Sequence, residues 1–380
     1  MAQGRSFMAS DKKELERLDA QEARRQRKEK ERRARKRAVL ILAIIIVVLA
    51  LLIVVVLGLL FRAHMKADVY SAAADSTQEI TVEYVGEKTE TAERETIVEP
   101  EAEPEKPVPT LSTGEMVSTN AYMIRPEDGK EILNVNGEER MYPASMTKMM
   151  TVIVAIENLD MSQQHTVMYD EISNAWAQDA TMAGFAEGET ITILDMVYGA
   201  MLPSGAECCY GLASEVVEKN TGAVQWDYEA QFVELMNAKA SEIGMTGTHF
   251  ANCVGLTSED HYSTCKDMAI LLEYGLQNDL FREVISSHNY TSEPTDFHPD
   301  GLLLNSTMFG SLGSSILTNE TSIMGGKTGY TDEAGHCLAS YAVTEDETEY
   351  ILVTSGAYTE VNDYANMRDH KYIYGQLPMG

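Results

Sequence analysis

Ser145-Met-Thr-Lys148 sets a hydroxyl and an amine three residues apart. On a helix such positions share a face, so the pair reads as a nucleophile beside a possible base. A lysine serves as a base only if its pKa falls, through burial or nearby positive charge, and a helix N-terminus supplies some of the latter. The same turn offers unpaired backbone N–H groups able to hold an oxyanion. The pattern alone is weak, because Ser10 to Lys13 and Ser263 to Lys266 also match it. The first lies in a highly charged tail, and in the second Thr264 and Asp267 have the spacing of a helix cap.

Context singles out Ser145. Gly326-Lys327-Thr-Gly-Tyr330 lies near the C-terminal end, and Pro203-Ser-Gly-Ala206 lies in between. S-x-x-K, a middle serine motif and K-T-G, in that order, are the signature set of penicillin-recognising serine enzymes. From Leu111 onward there are only eleven basic residues, and two of them are the lysines these motifs require. The chain resembles the serine D-Ala-D-Ala carboxypeptidases, the low-molecular-mass penicillin-binding proteins. The likeness runs through Pro143-Ala-Ser-Met-Thr-Lys148, Leu202-Pro-Ser-Gly205, Leu235-Met-Asn-Ala-Lys239, Gly244-Met-Thr-Gly-Thr-His-Phe250 and Lys327-Thr-Gly-Tyr-Thr-Asp-Glu-Ala-Gly335, and covers about 115 to 360.

The resemblance implies an α/β fold of the β-lactamase and penicillin-binding-protein kind: an antiparallel sheet flanked by helices, with an inserted all-helical lobe and the active site between them. It implies that Ser145 forms an acyl-enzyme with the penultimate D-alanine of a peptidoglycan stem peptide, expels the terminal D-alanine and is released by water. Lys148 would be the general base, and Ser204 would relay a proton toward the leaving amine. Lys327 and Thr328 would hold the substrate's terminal carboxylate, and the N–H groups of Ser145 and Tyr330 would form the oxyanion hole. Gly329, with Gly325 and Gly326, suits a strand edge that a peptide approaches closely. β-Lactam antibiotics would be covalent inhibitors, and no cofactor or metal is implied.

Two departures from the family pattern stand out. The middle motif usually reads S-x-N, where the amide contacts the base lysine and the substrate carbonyl, and here Ala206 takes that place. Glu207 follows it on a helix and is expected to point elsewhere. Many relatives also carry a C-terminal β domain and an amphipathic anchor, whereas this chain stops at Gly380, and an N-terminal membrane helix is expected to replace that anchor. Other readings remain. A β-lactamase shares the three motifs, but a class A enzyme needs a glutamate in an E-x-x-L-N context, and Glu234-Leu-Met-Asn237 is not that pattern. A zinc peptidase is disfavoured by eight scattered histidines with no i, i+4 pair. A catalytically impaired penicillin-binding protein, acting as a wall sensor or scaffold, stays open on the strength of Ala206.

The elements that must position these groups follow from turn signals and apolar runs. Asn120 to Ile124 and Glu131 to Val135, joined by Pro126-Glu-Asp-Gly129, read as a hairpin. A helix is expected from Ser145 to Leu159, with Pro143 just before it. More helices are expected at Leu194 to Ala200, Glu207 to Asn220, Trp226 to Ile243 and Thr264 to Gln277. Strands follow at Gly326 to Tyr330, Cys337 to Val343 and Tyr350 to Ser355. Five cysteines, two of them adjacent, do not make a disulfide framework and read as small buried apolar side chains.

Charge divides the chain. The net −29 argues against wholesale nucleic-acid binding, yet residues 1–37 hold 14 basic and 7 acidic residues. That basic tail precedes Ala38 to Phe61, 24 residues without a charge and long enough to span a bilayer. By the positive-inside rule the tail is cytoplasmic and the rest extracytoplasmic, so a single-pass membrane protein is expected. Residues 62–110 form an acidic stalk with Pro100, Pro104, Pro107 and Pro109 near its end, expected to be extended. The catalytic domain would occupy 111–380.

Overall fold

The hairpin around Pro126 and Gly129 forms, with β1 (Asn120–Arg125) antiparallel to β2 (Lys130–Val135). It belongs to a computed structural model that describes residues 106–223, 227–359 and 364–379. The basic tail, the apolar run of 38–61 and the stalk up to residue 105 lie outside the described residues. Among the described residues no helix is long and apolar enough to cross a membrane.

After the hairpin a 3₁₀ turn, Ala144–Thr147, runs straight into α1 (Lys148–Asn158). Every residue of α1 from Lys148 to Ala155 is buried, Lys148 and Thr151 included, so this helix runs within the core. The helical lobe follows: β3 (Gln164–Thr166), α2 (Tyr169–Ala177), β4 (Thr190–Thr192), α3 (Ile193–Met201), α4 (Ala206–Thr221) and α5 (Tyr228–Glu242). Thr192 and Asp195 exchange capping bonds at the start of α3, which fixes where that helix begins. α6 (Cys265–Leu276) is capped by Thr264, whose hydroxyl accepts from the Asp267 N–H, so the Ser263 to Lys266 match is a helix cap. α7 (Asp279–Ser286), β5 (Asn289–Thr291), β6 (Leu303–Asn305) and α8 (Thr307–Leu312) lead into β7 (Ser322–Thr331), β8 (Gly335–Val343), β9 (Glu349–Ala357) and α9 (Ala365–Tyr374).

The main sheet is antiparallel throughout, in the order β2-β1-β9-β8-β7. β8 and β9 are buried along nearly their whole length because both faces are covered. One face carries the large core that includes α1, α6 and the helical lobe; the other carries a smaller core built with Met308, Leu312, Met367 and Ile373 of α8 and α9. The five cysteines are free and buried. The end of the expected stalk is packed: the buried Arg125 guanidinium donates to the carbonyls of Lys106 and Pro107 at 2.9 and 3.0 Å, and to Asp128. Lys106 and Pro107 are therefore tied to β1.

Candidate active site

The turn that carries Ser145 is a 3₁₀ turn rather than the first turn of an α-helix, which corrects the expected start at Ser145. In that geometry side chains at i and i+3 eclipse, and this brings Lys148 Nζ to 2.9 Å from Ser145 Oγ. Lys148 is 2% exposed, and its Nζ also donates to the Val254 carbonyl at 2.6 Å. A neutral amine has two hydrogens and one lone pair. With one N–H held by that carbonyl, the lone pair is free to face the Ser145 hydroxyl. Burial pushes the Lys148 pKa down, while Cys209, Cys253 and Glu207 oppose the shift.

The Val254 carbonyl is aimed by its own loop. Asn252 Oδ1 accepts from the N–H groups of Val254, Gly255 and Leu256 at 3.2, 2.7 and 3.0 Å. Gly255 has φ +92°, and a Cβ there would overlap the Ala144 carbonyl, so only glycine lets this loop lie against the nucleophile turn.

The middle motif joins α3 to α4. Ser204 holds a left-handed φ of +70°, a strained conformation for a non-glycine residue. Its Oγ accepts from Lys327 Nζ at 3.0 Å. Ala206 is buried with its N–H on the Thr181 carbonyl. Glu207 Oε1 accepts from the Gly184 N–H at 2.8 Å, so its carboxylate is held by that loop. Burial pushes the Glu207 carboxyl pKa up.

On β7, Lys327 is 1% exposed, and its Nζ donates to Ser204 Oγ and to the Thr328 carbonyl, both at 3.0 Å. Burial, then the neighbouring Lys148, push its pKa well below the ordinary lysine range. Thr328 Oγ1 is 2.7 Å from Thr307 Oγ1 of α8. A Cβ at Gly329 would stand 3.1 Å from the Pro143 carbonyl oxygen and 3.2 Å from the Ser145 nitrogen, so glycine lets β7 run flush against the nucleophile turn.

A groove of about 880 Å³ opens over these groups. Ser145, Ser204, Thr307, Thr328, Gly329 and Tyr330 line it. Lys148 and Lys327 do not. The structure brings all seven sequence-derived site residues together, with the Lys327 amine behind Ser204 of the α3–α4 connection and Thr328. Sequence reasoning missed Thr307 and the Val254 carbonyl. A carbonyl has no residue-type signature, although Asn252 and Gly255, an N-x-x-G turn, mark the loop that carries it.

A family model for D-alanyl-D-alanine carboxypeptidase matches residues 106–359. The D-alanyl-D-alanine carboxypeptidase DacF of Bacillus subtilis is 33% identical over 245 residues, 63% of this chain and 57% of that protein. A D-alanyl-D-alanine carboxypeptidase of Streptomyces sp. is 25% identical over 244 residues, 64% of this chain and 82% of that one. Among solved structures, a serine-to-alanine variant of a Streptomyces DD-transpeptidase superposes with a TM-score of 0.61 at 25% identity, covering 68% of this chain and 98% of that one. A D-alanyl-D-alanine carboxypeptidase from Mycobacterium tuberculosis shares the fold, with a TM-score of 0.57 at 18% identity over 71% of this chain and 92% of that one.

Proposed function

The chain belongs to the D-alanyl-D-alanine carboxypeptidase family, and from that premise we propose a membrane-anchored serine carboxypeptidase that removes the terminal D-alanine of peptidoglycan stem pentapeptides. The observation that carries the reading is the buried Lys148 amine, 2.9 Å from Ser145 Oγ and oriented by the Val254 carbonyl. Ser145 Oγ attacks the carbonyl carbon of the penultimate D-alanine while its proton passes to Lys148 Nζ. The developing oxyanion is held by the backbone N–H groups of Ser145 and Tyr330. Ser204 relays the proton to the leaving amine, and D-alanine departs. Water, deprotonated by Lys148, then cleaves the ester and restores the serine.

The terminal carboxylate meets the Thr328 and Thr307 hydroxyls, which line the groove side by side. Lys327 acts on it through Ser204, whose hydroxyl its amine holds. β-Lactams acylate the same serine. Ala206 supports a second reading, an impaired penicillin-binding protein that senses or scaffolds the wall, because an amide expected beside the base is missing.

Mass spectrometry of stem pentapeptide incubated with the soluble part should show loss of one alanine with the wild type and none with Ser145→Ala. An unchanged pentapeptide in both samples would leave only the scaffold. The anchor rests on the 24-residue apolar run between a basic tail and an acidic stalk. Protease added to intact spheroplasts should remove the catalytic domain and spare the tail; a protected catalytic domain would reverse the orientation and remove access to wall substrate.

A further inference from the structure

The loop from Ala251 to His261 grips the start of α1 at three points. Val254 takes the Lys148 amine, the Cys253 carbonyl accepts from Thr151 Oγ1 at 2.6 Å, and His261 Nε2 lies 2.8 Å from Thr147 Oγ1. The root of the loop is tied to α5, where Asn237 exchanges two 2.8 Å bonds with the Phe250 N–H and carbonyl. His261 is 1% exposed and lies outside the three sequence motifs.

Its tautomer follows from its partners. The Ala251 N–H donates to Nδ1 at 3.0 Å, so Nδ1 carries no proton. The ring's hydrogen is therefore on Nε2, which donates to the Thr147 hydroxyl. One neutral imidazole thus ties the loop that presents the Val254 carbonyl to the residue directly before Lys148.

We propose that His261 is a positioning residue for the base, holding the Val254 carbonyl and the Lys148 amine in register with Ser145. This rests on the reading of Lys148 as the base of a Ser145 acyl-enzyme. A misplacement of about 1 Å can cost about a hundredfold in rate, so the effect belongs on the acylation step rather than on binding. Burial, then His249 just before the loop, then Lys148 of α1 oppose a charge on the ring and push its pKa down to about 4. Protonation would turn Nδ1 into a donor facing the Ala251 N–H, and the neutral form is the one that fits.

The test follows labelled penicillin as a function of its concentration, which separates the limiting acylation rate from the dissociation constant. His261→Leu should acylate about 10- to 100-fold more slowly, with a dissociation constant within about threefold of the wild type. His261→Gln offers one acceptor and one donor and should recover acylation to within about fivefold of wild type. Thr147→Val should slow acylation like His261→Leu, and combining the two should add less than about twofold, because both break the same link. Thr147→Val also carries the test should His261→Leu fail to fold. The inference is overturned if His261→Gln is as slow as His261→Leu, if Thr147→Val acylates normally, or if the loss falls on binding. A wild type that takes no label would overturn the base assignment itself, whereas a labelled wild type with indifferent His261 and Thr147 variants overturns this inference alone.

Discussion

Two serine–lysine pairs stand at the groove, and they are built in different ways. Ser145 and Lys148 come from a single turn, and their Nζ and Oγ stand 2.9 Å apart. Ser204 and Lys327 are 123 residues apart and meet at 3.0 Å because a left-handed serine lies beside strand β7. Both amines are buried and both are pushed toward the neutral form. Lys148 is further steered by a backbone carbonyl, and its nearness lowers the Lys327 pKa further. Equal distances therefore do not mean equal roles. In the proposed mechanism the local pair moves a proton, and the remote pair positions Ser204 at the groove.

Removing each amine should separate the two roles. Lys148→Ala should slow acylation by about 10² to 10⁴, the usual contribution of a positioned base, in a stopped-flow assay with labelled penicillin. Lys327→Met and Ser204→Ala should acylate about 10- to 100-fold more slowly, with the loss in hydrolysis larger for a D-Ala-D-Ala acid than for its C-terminal amide. Losses of the same size for Lys148 and Lys327 variants, indifferent to the substrate's carboxylate, would erase the distinction between the pairs.

The smallest expected change lies between the two pairs. An amide at position 206 would add a hydrogen bond to the base lysine and one to the substrate carbonyl, each worth about 0.5 to 1.5 kcal/mol net. Ala206→Asn should therefore release D-alanine about tenfold faster from pentapeptide, with penicillin acylation changing less. If Ala206→Asn leaves D-alanine release as it was, that amide has no part in turnover here.

The contrast between the pairs also explains what could be read from the sequence. Ser145 and Lys148 are legible because they share one turn and because the middle serine motif and K-T-G single that turn out. The hairpin of β1 and β2 and the strands β7 to β9 are legible for a similar reason, since turn residues mark their ends. α7 carried a readable signal, an Asn278 cap ahead of Phe281, Val284 and Ile285, all buried on one face, although short apolar runs are ambiguous. α9 did not, because much of what it buries is polar: Asn366, Asp369 and His370 are satisfied by tertiary partners rather than by an apolar stripe. The seclusion of Lys327 was equally unreadable. K-T-G states which residues are present, and only the packing of the α3–α4 connection decides that the amine faces Ser204 instead of the groove.

Ser145, and not Ser204, should receive the acyl group. Penicillin-treated protein digested to peptides and sequenced by mass spectrometry should carry the adduct on the peptide containing Ser145, with Ser204 unmodified and the adduct lost in Ser145→Ala. An adduct on Ser204, or one that persists in Ser145→Ala, would contradict it.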